Sequence, residues 1–228
     1  IGVREWRITR ENVLDDARAS DDLALKQPFR GDLHEAREGD VLYVPPGIAH
    51  WGTAKRACIT YSIGMRAPQL SDLGGALPDA QGDNPFYEDR DLTASEARPG
   101  YISSQAIARA TRLLPAASDP QEVAQALGRY VTETKAWLRP DGASADEIRQ
   151  CLESRLRLMV HGMARIAWDD WNVYVNGRRR KLDSGDKGVV EKICRTRCLR
   201  RSSRAWDSAH ELLKWMLETG AFEVPGNL

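Results

Sequence analysis

The chain has no excess charge of either sign, no long apolar run and few cysteines. Its 228 residues include 33 Lys and Arg and 33 Asp and Glu, so the net charge favours neither a nucleic acid nor a membrane surface as partner. No stretch approaches the roughly 18 apolar residues that a transmembrane helix needs, and no signal peptide is visible. We therefore expect no membrane partner.

The four cysteines are too few for a disulfide framework in a chain of this length. Cys194 and Cys198 are four residues apart, which fits one face of a helix, but no second pair of ligands follows them. A zinc site is therefore not expected. The simplest prediction from cysteine usage is a reduced protein of the cytoplasm.

The hydrophobic pattern changes twice along the chain, which predicts an α+β fold in three parts. Residues 1–68 carry strand signals, among them Val3–Ile8 and the alternating stretch Cys58–Met65. Residues 69–165 show apolar residues at helical spacing. Residues 166–228 combine a hairpin signal with further helices, a combination that predicts a small winged-helix-like domain.

Local patterns in the second and third parts predict particular elements. Apolar spacing predicts helices over Gln121–Leu138, Ala145–Met159, Lys187–Leu199 and Ser203–Glu218. In "WNVYVNGRRRKL" the pair Asn176-Gly177 is typical of a type I′ turn between two strands. The terminal "GAFEV" predicts a short strand.

One short segment, "GDVLYVPPGIAHWG", holds a histidine just beyond a rigid turn. Val41–Val44 favour a strand, and Pro45-Pro46-Gly47 cannot continue it because proline lacks the N–H that a sheet ladder needs. The chain then restarts as a strand, with His50 near its beginning. The spacing alone leaves two interpretations of His50, a packed and hydrogen-bonded side chain or a metal ligand.

This segment and the following "CITYSIGMRAP" resemble the distal half of the cupin-fold JmjC oxygenases, and most closely the bacterial ribosomal oxygenases. "GVREWRI" is similar to the family strand that follows the first two metal ligands. The order of a helical region and a "VYVNG" hairpin also matches the family. The resemblance implies the C-terminal part of a cupin-like double-stranded β-helix (1–68), a helical dimerisation region (69–165) and a winged-helix-like domain (166–228).

The resemblance also implies roles for individual residues. His50 matches the last iron ligand, and Arg4 matches the arginine that binds the distal carboxylate of 2-oxoglutarate. A guanidinium suits that task because its planar fork meets a carboxylate bidentately. Arg7 is a nearby alternative, and Arg4 could instead be a surface residue. Thr60 and Ser62 stand where the family lines the cosubstrate pocket, but could also be ordinary strand hydroxyls.

A non-haem Fe(II) oxygenase holds its iron with two histidines and one carboxylate. The family takes the first two ligands from a His-x-Asp pair, which this sequence lacks: His34, His161 and His210 are each followed by other residues. The chain also begins at Ile1 without a start-like segment. We therefore expect an N-terminally truncated fragment whose first two iron ligands lie upstream.

The resemblance implies a 2-oxoglutarate- and Fe(II)-dependent hydroxylase of a ribosomal protein, acting as a homodimer on an arginine or, as in eukaryotic relatives, a histidine. The rival hypothesis is a non-enzymatic cupin-like protein whose winged-helix module docks on RNA or DNA. It rests on the basic cluster between Arg178 and Arg204. We favour a solvated surface for that cluster, since no aromatic residues interleave the charges along the sequence.

Overall fold

The computed structural model describes residues 1–12, 30–44, 48–64, 67–74, 86–88, 98–114, 119–154, 157–201, 206 and 208–224. They form a mixture of helices and sheets, as the α+β prediction requires. The chain divides into two compact units, Ile1–Met65 and Arg66–Leu228. The division into three domains, with a boundary between residues 165 and 166, stays a prediction.

The first unit is built on an antiparallel sheet of three strands, β1 (Arg4–Asn12), β2 (Asp32–Ala36) and β3 (Ile48–Ala54). The order is β2-β1-β3, so β1 is central. The predicted strand at Val3–Ile8 is confirmed as β1, and the predicted restart after the proline turn is confirmed as β3. The turn itself, Pro45–Gly47, lies outside the described residues.

Two other strand predictions for this unit are wrong. Val41–Val44 and Cys58–Gly64, the described part of the second stretch, form no strand. Their apolar side chains are largely exposed, at 95% for Val41 and 90% for Tyr61. A strand requires a partner for its backbone groups, and no described strand pairs with either segment. Favourable side chains alone therefore do not make these segments strands.

The second unit contains the helices. They are α1 (Leu70–Gly74), α2 (Ser104–Leu113), α3 (Pro120–Thr132), a 3₁₀ turn (Ala136–Leu138), α4 (Ala145–Ser154), α5 (Asp186–Thr196) and α6 (His210–Glu218). Side-chain caps mark the beginning of several of them, including α2 and α3. The Ser103 hydroxyl accepts from the N–H of Ala106 at 3.1 Å, and the Asp119 carboxylate accepts from the N–H of Gln121 at 2.9 Å. Both caps satisfy a backbone donor that the first turn leaves unpaired.

Three predicted helices end earlier than their apolar spacing indicates. α3 ends at Thr132. The segments that follow α4 and α5 form the strands β4 (Arg157–Met159) and β8 (Cys198–Arg200), which pair with each other. That pairing places Leu158 and Leu199 opposite each other, both fully buried. Arg197, in the left-handed conformation at φ 55°, ends α5 just before β8.

The final elements agree with the sequence in part. β5 (Ile166–Trp168), β6 (Asn172–Val175) and β7 (Arg178–Lys181) form an antiparallel sheet in that order. The hairpin prediction is confirmed, since both turn residues have positive φ, 50° at Asn176 and 82° at Gly177. "GAFEV" forms a single bridge, Phe222 with Val160, instead of a strand.

Two hydrophobic clusters meet at β6. Val173 and Val175 belong to a cluster with α5 and α6, and Tyr174 belongs to a cluster with α2 and α3. The Tyr174 hydroxyl donates to the buried Asp169 carboxylate at 2.6 Å, and burial, chiefly, raises the pKa of Tyr174. Among the described residues, no helix is both long and apolar enough to cross a membrane.

Candidate functional site

One face of the three-stranded sheet gathers most of the candidate residues. Side chains alternate along β1, so Arg4, Trp6 and Ile8 point to the same side. In the register with β3, Trp6 lies opposite Gly52 and Ile8 lies opposite His50. Because directly opposed residues share a face, these five residues lie on one face. We call it the His50 face.

The imidazole of His50 is oriented by one hydrogen bond. Its Nδ1 lies 3.1 Å from the backbone oxygen of Ile48, which can only accept a hydrogen bond, so Nδ1 is the donor. Within the described residues Nε2 makes no hydrogen bond. A metal-binding histidine typically has this arrangement, with one ring nitrogen donating to a carbonyl and the other holding the metal. The side chain is exposed, so Nε2 is accessible.

The guanidinium of Arg4 is held in place from three sides. Nη2 donates to the backbone oxygen of Gly52 at 3.0 Å, and Nη1 lies 3.5 Å from the hydroxyl of Thr60. The charge lies 5.1 Å from the centre of the Trp6 ring, within the range of a cation–π interaction. The Nε atom is buried without a hydrogen-bond partner. These contacts leave donors of Arg4 unused.

Gly52 makes this arrangement possible. A Cβ atom at this position would lie 2.6 Å from Nε of Arg4 and 2.8 Å from the ring of Trp6, closer than real side chains approach. The Trp6 ring is near both the guanidinium of Arg4 and the imidazole of His50, with its centre 6.0 Å from the centre of the imidazole. Neither Gly52 nor Trp6 was predicted from the sequence as a site residue. Each could have been predicted from its spacing, because Trp6 is two residues from Arg4 on β1 and Gly52 is two residues from His50 on β3, and residues two apart on a strand share a face.

The predicted site residues divide into three cases. Arg4 and Thr60 come together, and Arg4 shares a face with His50. Ser62 is exposed and forms no hydrogen bond within the described part of the chain. Arg7 points to the opposite face, where it lies across from Trp51, so the geometry separates it from His50. The roles implied for Arg4, His50, Thr60 and Ser62 stay predictions.

The His50 face fits one part of a metal site and one end of a dicarboxylate. Among the described residues, no group of three or more His, Cys, Asp or Glu side chains could hold a metal ion, so His50 would be a single ligand. The terminal Nη1 and Nη2 donors of Arg4 that these contacts leave unused suit a carboxylate. Gly52 keeps open the space in which that guanidinium lies.

Comparison with known proteins gives a family for this part of the chain. Residues 1–73 match the family model of the JmjC domain. The chain is 28% identical over 203 residues to the ribosomal protein uL16 3-hydroxylase of Escherichia coli, covering 84% of this chain and 53% of that protein. It is 29% identical over 185 residues to a probable ribosomal oxygenase of Haemophilus influenzae, covering 65% and 44%.

Solved structures agree on the fold. YcfD, a ribosomal oxygenase from E. coli solved in complex with cobalt and 2-oxoglutarate, matches with a TM-score of 0.60 at 22% identity. The match covers 99% of this chain and 62% of YcfD. The chain spans about half the length of the curated relatives it matches. The comparisons thus agree with the resemblance drawn from the sequence: residues 1–73 match the model of the JmjC domain, and the chain is similar to a ribosomal-protein hydroxylase over most of its length.

Proposed function

We propose that this chain is part of a 2-oxoglutarate- and Fe(II)-dependent oxygenase that hydroxylates a ribosomal protein. The observation that carries the proposal is the His50 face. It presents an imidazole with a free Nε2 and an arginine with unused donors, separated by the ring of Trp6. A metal ligand and a carboxylate binder on one strand face are what such an oxygenase needs.

Each residue of the face has a distinct task in this proposal. Nε2 of His50 is the last protein ligand of the iron. Arg4 binds the distal carboxylate of 2-oxoglutarate, with Thr60 beside it and Ser62 further along the same segment. Trp6 covers the guanidinium and keeps water from competing for it. Bound iron and 2-oxoglutarate would supply the activation of O₂ toward a substrate C–H bond.

The two remaining iron ligands are proposed to come from sequence outside this chain. Support comes from the ligand count, since the described residues hold no cluster of three candidate ligands. The relatives are also much longer than this chain, which covers 53% of the uL16 hydroxylase. The fragment alone is then inactive, and activity belongs to the full-length protein.

Substrate and assembly are proposed from the relatives. The E. coli relative is a hydroxylase of ribosomal protein uL16. By the resemblance to the bacterial branch, we propose an arginine side chain as the target, with histidine as the alternative, and the cytoplasm as the location. We also propose a homodimer through the region 69–165, where Phe86 and Val131 are 45% and 40% exposed, and a winged-helix-like domain at 166–228.

The test compares two histidines on the same face in the full-length protein. His34 lies on β2, opposite Trp6. β2 and β3 pair with different edges of β1, so the central strand separates His34 from His50. His50→Ala is expected to abolish 2-oxoglutarate turnover and hydroxylation of a ribosomal-protein peptide, because the iron loses a ligand and its geometry. His34→Ala is the control and should retain turnover within about twofold. Normal turnover in His50→Ala would contradict the proposed role of His50, and no turnover in the unmodified full-length protein would favour a non-enzymatic binding protein.

A further inference from the structure

Trp137 is unusually exposed for its residue type. It lies in the 3₁₀ turn that follows α3, with 75% of its surface accessible. Tryptophan is highly buried on average, so a ring left open in this way requires an explanation. The Lys135 ammonium lies 5.4 Å from the centre of the ring, so a cation accompanies the open aromatic face.

Hydrogen bonds join the end of α3, just before this turn, to the tip of the β6–β7 hairpin. The N–H of Gly177 donates to the hydroxyl of Thr132 at 3.2 Å. The guanidinium of Arg165 donates to the backbone oxygen of Glu133 at 2.9 Å, and the N–H of Arg165 donates to the side chain of Asn176 at 3.0 Å. The segment that leads into Trp137 is therefore attached to the turn from which β7 begins.

The strand that begins there is entirely cationic. β7 is Arg178-Arg179-Arg180-Lys181, at the edge of its sheet. Arg179 donates to the side chain of Asn172, and Arg180 lies 3.8 Å from the carboxylate of Asp183. Arg179 and Lys181 are exposed and lie opposite Tyr174 and Asn172, so both are on the face of the hairpin that packs against α3. We call Lys135, Trp137, Arg165, Arg179 and Lys181 the hairpin surface.

Protection of a sheet edge accounts for only part of this surface. Charged side chains on an edge strand prevent pairing with other chains, which explains cations on β7. It does not explain an open tryptophan beside them, since exposed apolar area works against that purpose. Cations together with an exposed aromatic ring are what proteins use to bind single-stranded nucleic acid, in which phosphates meet the cations and unpaired bases stack on the ring.

We propose that the hairpin surface binds single-stranded nucleic acid. One base stacks on Trp137, and neighbouring phosphates contact Lys135, Arg165, Arg179 and Lys181. This inference is independent of the proposed hydroxylase, since every residue of the surface lies in the second unit. The aromatic residue that the basic cluster lacks along the sequence comes from a segment about 40 residues earlier, brought there by the fold.

The experiment measures fluorescence anisotropy of labelled 12-nucleotide oligomers of uridine and of thymidine at low salt, with an acidic peptide as a third probe. The unmodified chain is expected to bind an oligomer and not the peptide, and the two oligomers distinguish RNA from DNA. Trp137→Ala should weaken binding at least about fivefold, and Trp137→Phe should restore most of it because the phenyl ring still stacks. Circular dichroism of each variant checks the fold.

A charge-matched pair of variants locates the site. Arg179→Gln with Lys181→Gln should weaken binding and reduce the salt slope by about 1.4, the value for two lost contacts to a single strand. Arg195→Gln with Lys214→Gln removes two exposed cations from α5 and α6 and should change affinity by less than about twofold. The proposal is overturned if neither oligomer binds, if both double variants weaken binding equally, if the peptide competes, or if light scattering shows that Trp137→Ala disrupts a dimer instead.

Discussion

The two units of this chain are stabilised in different ways. Every buried hydrophobic residue among the described residues lies in Arg66–Leu228, where the largest, such as Trp168 and Phe222, are essentially inaccessible. In Ile1–Met65 the described sheet buries only Thr9, and Leu33 and Trp51 are each 56% exposed. The first unit therefore depends on backbone pairing along β1, and the second on a packed core.

The candidate ligand-binding residues and the packed hydrophobic clusters therefore lie in different units. The His50 face lies in the first unit, whose described residues include no buried apolar side chain, and His50 is exposed there. The second unit carries the packed clusters that supply most of the folding free energy, since burial of apolar area is the dominant favourable contribution. We therefore expect substitutions in the first unit to affect ligand binding and those in the second to affect unfolding.

The largest expected effect is on the core of the second unit. Leu213 on α6 is fully buried, so Leu213→Ala removes apolar burial and leaves a cavity, at a cost of about 3–5 kcal/mol in the free energy of unfolding. The matched control in the first unit, Leu33→Ala, should cost less than about 0.5 kcal/mol. Urea denaturation followed by circular dichroism measures both. Equal losses would show that the first unit also relies on apolar burial.

A smaller effect is expected at Gly52, and on binding instead of stability. In the full-length protein Gly52→Ala displaces Arg4 and Trp6, so the apparent KM for 2-oxoglutarate should rise about tenfold, or about 1.4 kcal/mol. Gly64→Ala is the control, because a Cβ there meets nothing within 4 Å. Steady-state kinetics at varied 2-oxoglutarate distinguishes them. An unchanged KM for Gly52→Ala would mean that the Arg4 cradle is not the binding geometry.

The smallest effect concerns a surface ion pair of the second unit. The pKa of Asp170 is lowered, chiefly by its hydrogen bond from Lys187. A lowered pKa stabilises the fold above the unfolded value near 3.8, and this contribution is lost as pH falls through the folded pKa. Asp170→Asn should therefore cost about 0.2–1 kcal/mol at pH 7 and nothing once the carboxyl is protonated. Thermal unfolding at both pH values tests this, and a loss that persists in acid would contradict it.

Local signals predicted elements whose partners are near in sequence. The Asn176-Gly177 turn sets the φ angles of its own hairpin, and Val3–Ile8 contains the strand-favouring residues Val3, Trp6 and Ile8, so both elements were predictable. β4 and β8 were not, because each of these three-residue strands becomes a strand only by pairing with a segment about 40 residues away. The same limit applies to strand predictions at Val41–Val44 and Cys58–Met65, where favourable side chains have no described partner strand.

The candidate site was predictable to the same extent. Motif resemblance identified His50 and Arg4, because the residues around them are specific. It did not identify Gly52 or Trp6, whose importance comes from distances across two strands. Thr60 was predicted and lies near Arg4, whereas Ser62, two residues later, makes no described contact with it.

The most direct test of the account uses the two neighbouring arginines of β1 as variant and control in the full-length protein. Arg4 lies on the His50 face, and Arg7 lies on the opposite face, so only Arg4 is placed to bind the cosubstrate. Arg4→Ala should raise the apparent KM for 2-oxoglutarate by more than about 30-fold, equivalent to at least about 2 kcal/mol, with kcat partly recovered at excess cosubstrate. Arg7→Ala should leave the KM within about twofold. An equal rise in both variants, or a rise in Arg7→Ala alone, would contradict the assignment of the His50 face as the cosubstrate site.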